Sequence, residues 1–211
     1  VIKTVLNLSG AAANCDEIIE YTIDGSGAIT VDVTVDNRSV TRLGRYSRLG
    51  TVMTLPAGAE QMTWYGAGGV ESYSDRNTFA KYGIYTDTVT NMYYPFIDVQ
   101  DSGNLTNVKW IAVTDENKSN GVVIAGDNFE ASALHFNSDQ LDSATHPYEL
   151  KPSENTYLAV NYGSDGNGNS SCGPDTLSQY QILNDKAYNY KYTIIPFATS
   201  STDAEIMDAT R

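Results

Sequence analysis

The chain has 211 residues and a formal net charge of −13, from 26 acidic and 13 basic residues. That field repels phosphate backbones and no Lys/Arg cluster offsets it locally, which excludes nucleic acid as the expected partner. No apolar run approaches the ~18 residues of a membrane-spanning helix, so no membrane insertion is expected.

The opening "VIKTVLNLSG" carries neither the apolar stretch of a signal peptide nor an initiator Met, and reads as the inside of a longer polypeptide. From there the dominant hydrophobic period is two. In "ITVDVTV" (29–35), Ile29, Val31, Val33 and Val35 share one face, which predicts a strand buried on one side. Asp24-Gly25-Ser26-Gly27, between two such runs, predicts a hairpin with a four-residue loop. Further strands are expected at 49–55, 108–114, 121–125, 131–136, 156–161 and 179–183. Between them lies "WYGAGGVESYSDRNTFAKYG" (64–83), whose aromatics, glycines and Asp-Arg pair read as a loop shaping a surface. Residues 137–144 predict one or two helical turns, with Asn137 or Ser138 as N-cap. The segment 162–175 reads as a long glycine-rich connection.

In "YNYKYTIIPF" (188–197), Tyr188, Tyr190, Tyr192 and Ile194 line one strand face. They form either a sugar-stacking ladder or a half-buried sheet face. Pro196 ends the pairing or sits at an edge. The polar "ATSSTDAEIMDATR" (198–211) reads as a linker after a domain spanning 1–197. Short strands separated by Gly/Asn/Asp/Ser turns place the chain in the all-β class, as a large antiparallel β-sandwich.

Motifs for chemistry are sparse. The two histidines, His135 and His146, stand eleven residues apart outside any metal-ligand spacing, and are expected to be structural. Cys15 and Cys172 share no CxxC spacing and are expected as two separate thiols. Glu71, Asp75, Asp87, Asp98 and Asp101 are candidate carboxylates, but no spacing singles out the pair, roughly 5–5.5 Å apart, that a retaining glycosidase needs.

Five ordered tracts nevertheless resemble one family. "TWYGAGGVESYSDR" resembles the Trp-x-Gly-x-Gly-Pro-x-Glu-x-Tyr-x-Asp-Arg tract of bacterial β-galactosidases in glycoside hydrolase family 2. It matches at Trp64, Gly66, Gly68, Glu71, Tyr73, Asp75 and Arg76, with Gly69 at the proline position. Residues 21–35 resemble the strand-turn-strand before that tract. Residues 92–115 resemble the Tyr-x-x-Pro-Gln-Glu-x-Gly-Asn segment that ends on a Trp; Gln100, Gly103, Asn104 and Trp110 match, while Val99 and Asp101 depart. "THPYEL" (145–150) and "GNGNSSCGP" (166–174, with Cys172) are similar to two further family segments.

The resemblance implies the C-terminal, small-chain β domain of such an enzyme, with a galactose mutarotase-like supersandwich fold truncated at its start. It also implies that the catalytic glutamates, and any Mg or Na, sit in a preceding (β/α)₈ barrel, so that this chain has no catalytic residue, metal or cofactor of its own. The partner is then that barrel, and a galactoside is met only in the whole enzyme. The family's rim tryptophan falls by register near Pro196 or Phe197, making Phe197 either an apolar platform at the pocket rim or plain packing. Asp75-Arg76 is expected to lock the 64–83 loop as a bidentate pair over Trp64 and Tyr73. Two other readings stay open: an independent carbohydrate-binding module and, by fold analogy, a mutarotase-like enzyme. The acidity and the Asp/Thr/Ser-rich loops suit a secreted or surface-attached protein.

Overall fold

A computed structural model describes residues 1–9, 14–37, 44–166 and 175–198. Cys172, most of the 162–175 connection and the tail from 199 lie outside the described residues. Ten antiparallel strands dominate what is described, with two short helices. The strands are β1 (Ile2–Ser9), β2 (Asn14–Ile23), β3 (Ile29–Asp36), β4 (Arg48–Leu55) and β5 (Gln61–Gly68). They continue as β6 (Lys81–Thr88), β7 (Leu105–Thr114), β8 (Gly121–Leu134), β9 (Thr156–Ser164) and β10 (Tyr188–Phe197), while the helices are α1 (Val89–Met92) and α2 (Ser138–Ser143).

The period-two pattern forms β3 as expected, with Val31, Val33 and Val35 buried. Its hairpin with β2 has five loop residues, not four, because Ile23 pairs with Ile29. Asp24 organises the turn by accepting from the Ser26 N–H at 2.8 Å, and Gly27 takes φ +88°. At α2, Asn137 is the cap, in a reciprocal capping box with Gln140.

Strand β8 decides the architecture. The two strands expected at 121–125 and 131–136 are one 14-residue strand. The polar "GDN" between them is a bulge, with Asn128 at φ +68°, that kinks the strand without ending it. One edge of β8 pairs with β7 from Gly121 to Ala131, across the bulge. The other edge pairs with β10 over Gly121–Gly126 and with β9 over Glu130–Leu134. The sheet therefore splits into two layers, β1-β2-β3-β10 on one side and β4-β9 on the other. They close face to face: the Tyr192 hydroxyl lies 2.7 Å from Thr51 Oγ1, and the Tyr188 ring centroid lies 5.1 Å from that of Tyr162. Val31, Val33, Leu158 and Val160 fill the space between. This is an all-β sandwich.

That closure turns the tyrosine face of β10 inward. Tyr188 and Tyr192 are buried in the core, so the ladder packs and does not present itself to a sugar. Pro196 sits where β10 has passed the end of β3, whose pairing stops at Ile194, while pairing to β8 continues. The strand expected at 179–183 is instead a 3₁₀ turn at Ser178–Tyr180 followed by an isolated bridge from Leu183 to Arg45. Its apolar alternation is right for a strand, but among the described residues its pairing is confined to two backbone hydrogen bonds, Tyr46 N–H to the Ile182 carbonyl and Asn184 N–H to the Gly44 carbonyl. Cys15 is a buried free thiol.

The inward face of the first layer extends further than its cover. Ile2, Leu6 and Leu8 pair with Tyr21, Glu17 and Cys15, and so share the core-facing side. Yet they are 56%, 48% and 46% exposed, whereas Ile19 and Cys15 on the neighbouring strand are buried. β1 overhangs the layer beneath it.

Candidate functional site

The 64–83 tract is half strand and half loop. Its ends belong to β5 and β6, which the sequence pattern hid because Gly66 and Gly68 mimic a turn. Both glycines are strand residues forced by close approach. A Cβ on Gly66 would lie 2.9 Å from the Val108 Cα of β7, and one on Gly68 would lie 2.7 Å from the Trp64 ring nitrogen. Trp64 is buried and stacks on Tyr85 of β6, centroids 5.6 Å apart.

Beyond Gly69 the chain folds back on itself. The Tyr73 and Arg76 backbones exchange two hydrogen bonds, at 3.2 and 2.8 Å. The guanidinium of Arg76 stands 5.4 Å over the Tyr73 ring and pairs with Glu71. The lock is thus Glu71–Arg76, not the expected Asp75–Arg76. In so tight a turn adjacent side chains diverge, and the Asp75 carboxyl lies against Gly166 instead, 2.8 Å from where a Cβ there would stand.

The family-like tracts 63–76 and 92–115 are sewn together. The second oxygen of Glu71 accepts from the Gly103 N–H at 2.9 Å. The Ser72 N–H donates to the Asn104 carbonyl, and the Asn104 side-chain amide donates back to the Ser72 carbonyl, at 2.7 and 2.9 Å. Ser72 and Thr106 hydroxyls meet at 2.9 Å. Gln100 donates to the Asp98 carbonyl nearby. Trp110 takes no part; it is buried elsewhere on β7, with Val123 and Ile195. Phe197 closes β10, its backbone opposite Gly121.

Behind this seam lies a polar cluster that sequence reasoning missed. Glu130 of β8 is buried, accepting from Ser164 Oγ at 2.7 Å and from the Asn104 amide at 3.1 Å. Burial pushes its carboxyl up to about 7, against those hydrogen bonds and the charge of Arg48. Asn161 is its cross-strand neighbour on β9. Neither polar atom of the Asn161 side chain has a partner, nor has Asn104 Oδ1 or Arg48 Nε, although all are buried. Arg48 pairs with Asp101 Oδ2, which also accepts from the Tyr73 hydroxyl at 3.1 Å. The signal available in the sequence was one acid inside the otherwise uncharged run "FEASAL".

The remaining candidates have separate duties. Asp87 holds the Asn91 amide at 2.9 Å beside α1. His135 bridges Glu60, at 2.7 Å, and the Asn155 carbonyl, at 3.1 Å. His146 contacts Glu149 at 3.3 Å and stacks on Tyr148. Among the described residues no group of three or more His, Cys, Asp or Glu converges as a metal site would. The arrangement builds a polar-seamed wall in which Glu71, Asp101 and Glu130 are each held by donors of the wall itself.

Comparison with known proteins finds β-galactosidases among its relatives. The chain is 27% identical over 198 residues to a β-galactosidase of Priestia megaterium, covering 93% of this chain and 19% of that protein. It is 30% identical over 167 residues to a β-galactosidase of Staphylococcus xylosus, covering 77% and 17%. It is 31% identical over 176 residues to one of Vibrio vulnificus, covering 82% and 16%. The chain therefore spans less than one fifth of the length of these curated relatives. Residues 2–194 match the family described as beta galactosidase small chain, and the chain belongs to that family.

Proposed function

We propose that this chain is the non-catalytic C-terminal domain of a β-galactosidase, docking against the rest of the enzyme and helping to bound its galactoside pocket. The observation that carries the reading is the overhang of β1. Ile2, Leu6 and Leu8 continue the core-facing side of the first layer without a layer opposite. Apolar surface of this kind is costly in water, at about 25 cal/mol per Å², and calls for a protein surface to cover it. Its occupant is the remainder of the parent chain, since relatives carry at least four fifths of their length outside the matched region. The fuller supersandwich is completed there, and the hydrolysis of terminal β-galactosides, with retention, belongs to the catalytic barrel. Phe197, at the end of β10, is the residue assigned to the pocket rim.

The test is complementation. The 211-residue chain and the remainder of its parent are expressed separately and assayed on a nitrophenyl-galactoside, alone and mixed. The chain alone is expected to be inert, and mixing to raise activity well above that of the remainder. The double variant Leu6→Asp/Leu8→Asp should abolish that gain. Turnover by the chain alone, or an undiminished gain with the double variant, would overturn the proposal.

A further inference from the structure

The seam of Arg48, Asp101 and Tyr73 forms the wall between two adjoining cavities on the outer face of β4-β9-β8. One, of about 420 Å³, is polar: Arg45, Ser164 and Asp165 line one side, and Ser138 and Asp142 of α2 the other. The second, of about 230 Å³, is largely apolar, with Val52, Leu134, Phe136, Tyr157 and Ala159 along it. Arg48, Asp101, Ser138 and Leu141 belong to both. By register Asn161 lies on the same face of the sheet as Ala159, Val52 and Ser132, buried beneath the residues that line the basin. Its side chain lies across Gly50, where a Cβ would come within 2.1 Å of Asn161 Oδ1. A residue 1% exposed, with two unpartnered polar atoms, is held in place beside the basin.

We propose that this basin is a binding site of this chain for a neutral, polyhydroxylated ring such as a hexose. Charge excludes the obvious alternative, an anion. Arg45 is taken by Asp165 and Asp175, and Arg48 by Asp101. Among the described residues the basin thus offers no uncompensated cation, and the chain as a whole carries −13. What it does offer is a carboxylate acceptor already polarised by a guanidinium partner, together with the exposed Ser138 hydroxyl, which donates or accepts; the Tyr73 and Ser164 hydroxyls already donate to Asp101 and Glu130. Both Asp101 contacts fall on Oδ2, leaving Oδ1 for a ligand hydroxyl. The apolar strip beside them suits the C–H face of a sugar ring, and Val52 is 60% exposed there. An apolar surface flanked by a few fixed polar groups is the general form of a small-molecule site, and the cavity sizes fit one.

The experiment titrates the 211-residue chain with galactose, glucose, methyl β-galactoside and inorganic phosphate, by calorimetry and by amide NMR shifts. The proposal expects saturable binding of at least one hexose with Kd on the order of millimolar, with shifts confined to the basin. Val52→Trp fills the apolar strip from an exposed strand position; it should abolish binding while leaving the melting temperature unchanged. Asp101→Asn keeps the shape and should weaken binding roughly tenfold, which keeps the idea testable if the tryptophan variant does not fold. Three results would overturn it: no saturation with any hexose, hexose affinity untouched by both variants, or saturation by phosphate alone. None of these depends on whether the chain complements its parent.

Discussion

Glu130→Gln is the sharpest perturbation of this structure. Burial lifts the Glu130 carboxyl from 4.5 to about 7, so between those pH values the folded state holds a proton that the unfolded chain has released. Stability from this group is therefore fully present below about pH 4.5 and falls as pH rises through 7. Protonated Glu130 also supplies a hydrogen to a cluster in which the Asn104 and Asn161 side-chain oxygens lack donors. Glutamine is neutral at every pH and brings two donor hydrogens. At 1.36 kcal/mol per pKa unit the gain above pH 7 has a ceiling of about 3 kcal/mol, or roughly 6–12 °C in melting temperature for a chain this long. Thermal melts followed by circular dichroism at pH 5 and pH 8 measure it. The variant should match wild type near pH 5 and exceed it at pH 8. A variant less stable at pH 8, or one offset equally at both values, would refute the assignment of a neutral buried carboxyl.

Two further substitutions probe the wall. Glu71→Ala removes both the Arg76 partner and the acceptor of the Gly103 N–H, and should cost about 1–3 kcal/mol. Arg76→Ala leaves the Gly103 bond in place and, at a half-exposed ion pair, should cost about 1 kcal/mol or less; the reverse order in urea denaturation would show that the lock lies elsewhere. Gly66→Ala drives a methyl into the β7 backbone and should cost roughly 1–3 kcal/mol, visible as a lowered urea midpoint. An unchanged midpoint would mean that β5 and β7 can separate freely there.

The period-two alternation of β3, β4, β7 and β9 was readable because it is local: each side chain's facing follows from the pleat alone. The N-cap of α2 was readable for the same reason, since Asn137 and Gln140 answer each other within one turn. The family-like tracts marked Glu71, Gly103 and Asn104 as residues that matter. They did not tell that Glu71 would serve Arg76 and Gly103 together, because that depends on two loops meeting across some thirty residues. Strands β5 and β6 were hidden by glycines whose necessity is a neighbouring backbone and not a turn. β8 looked like two strands because a polar bulge and a turn have the same composition.

By itself, then, the sequence determined the all-β class, the strands with clean alternation, the helix cap, the acidic character and the family. Tertiary structure alone decided what became interior at β1 and β10. It turned the tyrosines of β10 inward, left the apolar side of β1 uncovered, and gathered Glu130, Arg48, Asp101 and Asn161 at one wall. The physical reason is that pleat, cap and turn act between near neighbours in the chain. Burial, ion pairing and cavities arise where β4, β8 and β9, distant in sequence, are brought side by side.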